Sequence, residues 1–352
     1  MAANEGAPTV PLCLRTRLTV ISCKGASGQA IFAIWLLILA RKLLVSHLVS
    51  MSAPSPAAPT SPPSKGRVFF SRLSSSLVLW VVMGLAIQWK SQTLFAAIAC
   101  FFGVAGAVEY FRLIIRDAQH RSFPLLGLFI CLGYWAMVIY HVLTKKTEPP
   151  MWLDLAALTL SVHGAFLLCY RHELEGEVTL QRIFSTVFGV VYTVIFFGFI
   201  VRLMYFRGDG SGLTGVFLML YLIVVTKFSD MGAYLLGSLI GKHKMIPHIS
   251  PGKSWEGLGG AFLGSLVGAV LLLSIVPANH LLPVTWLHGL ILVPIMVFAA
   301  VTGDLAESII KRCIAIKDSG HKFPGIGGIL DLTDSLLFTA PVFYFYLMAF
   351  TR

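Results

Sequence analysis

Residues 325–338 read GIGGILDLTDSLLF, and from there the chain stays almost wholly apolar to Phe350. About 20 such residues in helical form cross the hydrocarbon of a bilayer. Yet this helix opens with two carboxylates, Asp331 and Asp334, one turn apart. An ionised Asp at the centre of a span costs about 2.5–3.5 kcal/mol even on the lenient insertion scale. A helix that served only as an anchor would carry neither. The stretch therefore reads as a transmembrane helix whose beginning belongs to a polar site.

The rest of the chain agrees. Of 352 residues, 57% are hydrophobic and only 12% charged, where soluble domains carry about 25% charged residues. The expected fold class is all-α: a polytopic integral membrane protein with a cytoplasm-facing polar site in its C-terminal half. Six scattered cysteines with no paired spacing read as small core residues, neither a disulfide framework nor a zinc site. The net charge of +11 points to topology and anionic lipid. Nucleic acid is not an expected partner, because the cations are split among short loops and form no stripe.

Nine apolar windows are long enough to cross, near 73–89, 92–110, 123–143, 151–170, 183–204, 213–239, 257–277, 286–303 and 329–350. Lys and Arg concentrate in alternate connections, including Arg112–Arg121, Lys242–Lys253 and Lys311–Lys322. The positive-inside rule then puts the N-terminus and the polar loops 240–256 and 304–328 on the cytoplasmic side of a bacterial-type inner membrane. Residues 1–65 read as a separate extension. Met51–Lys65 is rich in Pro, Ser and Ala, a composition expected to be disordered, and a translation start at Met51 would place everything before it outside the protein. Residues 66–210 form the N-terminal group of spans, and 211–352 the candidate catalytic part.

Three stretches break the rule that a span be apolar. In VTKFSDMGAYLLGSLIGKHK (225–244), Lys227, Asp230 and Tyr234 share a helix face. The loop HISPGKSWEG (248–257) sets Ser250, Lys253 and Glu256 around Pro251 and Gly252, and free N–H groups at a helix start beside a Lys suit an anion. Gly260, Gly264 and Gly268 recur every fourth residue, the pattern of close helix packing. In TGDLAESIIKRCIAIKDSGHKFPGIGGILDLTD (302–334), Asp304, Glu307, Ser308 and Lys311 fall on one stripe.

Two helix ends joined by a glycine-broken loop can bring Asp304 and Asp331 together. A hard divalent cation relieves the repulsion between such carboxylates, and Mg²⁺ is commonly held by one or two carboxylates plus phosphate oxygens. Lys227, Lys253, Lys311, Arg312 and Lys317 suit a polyanion beside it. The expected chemistry is phosphoryl or nucleotidyl transfer at the membrane surface.

At these residues the chain resembles the phosphatidate cytidylyltransferases, or CDP-diacylglycerol synthases. The resemblance rests on Ser308, Lys311, Arg312, Lys317, Asp318, Gly320, Phe323, Pro324, Gly327, Gly328, Asp331 and Asp334 at matching spacing. Upstream it rests on Asp230, Ala233, Tyr234, Gly241 and Lys242, and on Ile249-Ser250-Pro251, Lys253 and Trp255-Glu256-Gly257. It is specific across about 225–335 and only topological before that. Ile326 stands where many members carry His, Leu332 where they carry Arg, and Ser254 where Thr is usual.

The resemblance implies that CTP and phosphatidate give CDP-diacylglycerol and pyrophosphate. It assigns Asp304 and Asp331 to Mg²⁺, with Asp334 and Asp230 as outer ligands. It makes Lys311, Arg312, Lys317 and Asp318 the catalytic run, with Lys227, Ser250, Lys253, Glu256, Ser308, Gly327 and Gly328 toward the substrates. A homodimer is the candidate assembly.

Two other readings compete. A cation-coupled transporter of anions would also use intramembrane acids and broken helices, but no inverted repeat relates the two halves and the charges lie near one edge. A CTP-dependent kinase or cytidylyltransferase of an isoprenoid lipid keeps the chemistry and changes the acyl partner.

Overall fold

A computed structural model describes residues 92–116, 122–145, 147–171, 173–206, 213–276, 284–314 and 328–350. The expected span at 73–89, the N-terminal extension, and Lys317, Asp318 and Gly327 lie outside the described residues.

The described chain is helical apart from one hairpin. In order come α1 (Gln92–Arg116), α2 (Pro124–Thr144), α3 (Trp152–Cys169), α4 (Glu177–Val190), a π-turn (Val191–Ile195), α5 (Phe196–Tyr205), α6 (Leu213–Ile240), β1 (Lys244–Ile246), β2 (Ser250–Ser254), α7 (Trp255–Ile275), α8 (Trp286–Cys313) and α9 (Ile329–Phe350). With α4, the π-turn and α5 forming one continuous crossing, eight helices among the described residues are long and apolar enough to span a membrane. They match eight of the nine expected windows. The largest difference is α8, which runs on past residue 303 to Cys313. Its polar stripe is helical because a helix satisfies its own backbone groups wherever water is scarce.

The local starts are legible. Pro124 sits in the first turn of α2, where its missing N–H costs nothing. The Ser254 hydroxyl caps α7 by accepting from the Gly257 N–H at 3.1 Å, an ordinary N-cap.

Glycines fix how closely the helices approach. A side chain at Gly260 would strike the Gly232 carbonyl, and one at Gly264 the Phe228 carbonyl, so α6 and α7 meet backbone to backbone. The Ser265 hydroxyl donates across this seam to the Val225 carbonyl at 3.0 Å. Gly303 does the same for α8 and α9, since a side chain there would strike the backbone at Asp334.

Helix α9 is the centre of the bundle, with Leu336, Leu337, Ala340, Phe343 and Leu347 all buried. Phe129, Leu155, Leu167 and Ile275 face outward, as helices against lipid allow. At the far end of the crossing, Arg202 is fully buried. It pairs with Asp154 at 2.9 Å and donates to the Pro150 carbonyl at 3.2 Å.

Candidate active site

Helix α8 carries Asp304, Glu307 and Lys311 along one face, and α9 brings Asp334 to them. The carboxylates of Asp304, Glu307 and Asp334 offer oxygens that all lie within 4.8 Å of one another. Helices α8 and α9 touch at Gly303 and Asp334, so their axial offset sets Asp334 level with Asp304.

Asp331, one turn earlier, has a different setting from the Asp304 partnership expected for it. It pairs with Lys311, which also holds Glu307 at 3.1 Å. Its second oxygen accepts the Gly328 N–H at 3.0 Å. A carboxylate there satisfies an orphan donor and complements the positive end of the helix dipole.

Helix α6 supplies the next layer. The Lys227 ammonium is buried and reaches Asp230 at 3.3 Å and the Leu332 carbonyl at 3.1 Å. The Ser335 hydroxyl donates to Asp230 at 3.3 Å, and the Ser335 N–H to Asp334 at 2.6 Å. Asp230 is thus linked to the acid group through Ser335.

The hairpin closes the polar side. Strands β1 and β2 pair antiparallel, with Ile246 opposite Ser250 and Lys244 opposite Ser254. Lys253 crosses to Asp304 at 3.0 Å, and Arg312 donates to the Ile249 carbonyl at 3.4 Å. Glu256 turns away from the acids to His243 at 2.6 Å, securing the base of the hairpin. Ser250 opens β2. Ser308 is half-buried on α8, and Gly328 is buried just before α9.

Five carboxylates (Asp230, Asp304, Glu307, Asp331 and Asp334) meet three lysines (Lys227, Lys253 and Lys311). The formal excess of two negative charges is what a divalent cation would neutralise. Glu307 Oε1 is buried without a hydrogen-bond partner, as an oxygen reserved for a cation would be. These residues fit Mg²⁺, which takes oxygen donors and retains positions for phosphate.

Two contributions went unassigned in the sequence. Glu307 was visible on the Asp304 stripe but not as part of the acid group. Glu109, from α1, accepts the Ile329 N–H at 2.7 Å and so holds the first turn of α9. A lone acid inside an otherwise apolar span was the available signal.

The model of the cytidylyltransferase family matches residues 70–350. A phosphatidate cytidylyltransferase of Bacillus subtilis is 35% identical over 249 residues, 70% of this chain and 87% of its own length. One of Haemophilus influenzae is 42% identical over 134 residues, covering 38% and 46%. One of Mycobacterium bovis is 40% identical over 158 residues, covering 45% and 48%.

Proposed function

We propose that this chain, which belongs to the cytidylyltransferase family, transfers CMP from CTP to phosphatidate, with Mg²⁺ as its resident cation. A phosphate oxygen of phosphatidate attacks the α-phosphorus of CTP. The new P–O bond forms as the bond to the β-phosphate breaks, giving CDP-diacylglycerol and pyrophosphate. The attacking phosphate monoester is already ionised near neutral pH, so the reaction needs no general base. The observation that carries the reading is the Asp304–Glu307–Asp334 group flanked by lysines.

Asp304, Glu307 and Asp334 would hold Mg²⁺, and Asp230 would orient the group through Ser335. Bound there, the cation would neutralise phosphate charge, a main need of this chemistry. Lys253 and Lys311 exchange a carboxylate for phosphate oxygens when CTP binds, and Arg312 extends the cationic wall. Asp331 keeps the start of α9 and Lys311 in place. Lysine and arginine placement supports a site open to the cytoplasm, in a bacterial-type inner membrane.

The test is transfer of α-labelled CTP into lipid by purified protein in phosphatidate micelles with Mg²⁺. Labelled lipid and pyrophosphate in equal amounts support the reading. A nucleotide that binds while no lipid is labelled refutes it.

A further inference from the structure

The residues of the acid group come from α6, the hairpin, α8 and α9. Helix α1 reaches them from the N-terminal half of the chain. Its Glu109 is buried, and a carboxylate within a span is costly unless it has partners. Glu109 Oε2 accepts the Ile329 N–H at 2.7 Å, a contact between residues 220 apart. Gly106, one turn earlier, lets α1 lie close to the start of α9. A Cβ added there would already touch the Leu330 side chain at 3.5 Å, and Leu330 is itself buried.

Two carboxylates therefore hold the first turn of α9. Asp331 accepts the Gly328 N–H at 3.0 Å, and Glu109 accepts the next one. The first N–H groups of a helix have no partner within it, and negative charge suits that end of the dipole. The two caps differ in what they fix. Asp331 belongs to α9 and moves with it, whereas Glu109 ties α9 to another helix. Helix α1 is anchored in turn. Tyr110 donates to the Ser185 carbonyl of α4 at 3.0 Å, and a side chain at Gly103 would strike the Trp135 ring of α2.

Direct contacts run from that turn to the acid group. Asp331 pairs with Lys311, Lys311 with Glu307 at 3.1 Å, and Glu307 lies with Asp304 and Asp334. Asp334 stands further along the same helix, so a shift of the first turn carries both acids of α9 with it. We infer that Glu109 is a positioning residue: by accepting the Ile329 N–H it fixes the start of α9, and with it the placing of Asp334 and Glu307 around a divalent cation. The inference rests on the cation site proposed above. It gives Glu109 the work of a hydrogen-bond acceptor and not of a cation ligand.

The test is Mn²⁺ binding to detergent-purified full-length protein without nucleotide, read by electron paramagnetic resonance beside the melting temperature. Glu109→Met removes the acceptor and is expected to weaken Mn²⁺ binding about 10–100-fold, as loss of an outer-shell partner does. Glu109→Gln keeps an acceptor oxygen and loses only the charge facing the helix dipole, so affinity is expected to stay within about threefold of the parent. Ile329→Pro removes the donor instead, at the first position of α9, where proline is tolerated. In that background Glu109→Met is expected to add little. Parental Mn²⁺ affinity in Glu109→Met, even with a lowered melting temperature, overturns the inference while leaving the cation site standing. So does equal loss in Glu109→Gln and Glu109→Met, or an undiminished effect in the Ile329→Pro background. Parental affinity in Asp334→Asn overturns the cation site itself.

Discussion

The Lys253 ammonium lies 3.0 Å from the Asp304 carboxylate and donates to the Val301 carbonyl at 3.0 Å. One side chain thus ties the hairpin to α8 at the edge of the acid group. Lys253→Met is expected to lower kcat/KM for CTP by about tenfold or more, equivalent to about 1.4 kcal/mol, mainly through KM. Steady-state kinetics at saturating phosphatidate check this, and an unchanged KM for CTP removes Lys253 from nucleotide binding.

Asp304→Asn, Glu307→Gln and Asp334→Asn are each expected to reduce kcat more than about 100-fold, beyond the loss seen for outer-shell partners of a metal. Chelation of divalent cations is expected to silence the parent, with Mg²⁺ restoring it. Asp331→Asn is expected to lower the melting temperature as well as kcat, because it frees the Gly328 N–H and one side of Lys311.

Gly303→Leu forces α8 away from Asp334. Overpacking of this kind costs about 1–3 kcal/mol, and here it also opens the carboxylate group. The expected result is a lower melting temperature together with lost Mn²⁺ binding. An equivalent change at Gly260, in the α6–α7 seam, is expected to lower stability with a smaller effect on Mn²⁺.

The sequence carried the spans and the acid stripe but not the pairing of acids. Length and hydropathy located every described crossing, because hydrocarbon thickness leaves few alternatives. Asp304, Glu307 and Lys311 were legible through helical periodicity alone. Asp331 and Asp334 share a face, so choosing between them as neighbours of Asp304 required the offset between α8 and α9. That offset is set by backbone contact at Gly303, a tertiary fact. Gly303 left no sequence signal of its own, since a glycine in an apolar window resembles any other. Glu109 left one, a carboxylate within a span, but its acceptance of the Ile329 N–H links residues 220 apart in the chain.

Arg202 is expected to matter for stability and not for chemistry. Removing one member of a buried ion pair costs about 3–5 kcal/mol, so Arg202→Met should lower the melting temperature sharply while folded protein keeps its Mn²⁺ affinity. Adding Asp154→Leu should recover part of the loss, because the stranded carboxylate goes with it. Thermal denaturation of the single and double variants decides this.

Glu148 lies between α2 and α3, outside the crossings, and Tyr344 donates to it. Burial holds its carboxyl above the ordinary 4.5, with Tyr344 and Arg202 opposing. As pH rises past about 4.5, the unfolded chain sheds this proton before the folded one does, so stability falls through that window. The melting temperature of the parent is expected to drop more steeply with rising pH there than that of Glu148→Gln.

The π-turn at Val191–Ile195 accommodates one residue more than an α-turn would. That surplus residue sets the rotational phase between the halves of one crossing. Tyr192, inside the turn, packs on Phe338 of α9, and Arg202, beyond it, pairs with Asp154. Deleting a single residue there would twist the halves by about 100° relative to each other. Either contact could then form, but not both from the same helix.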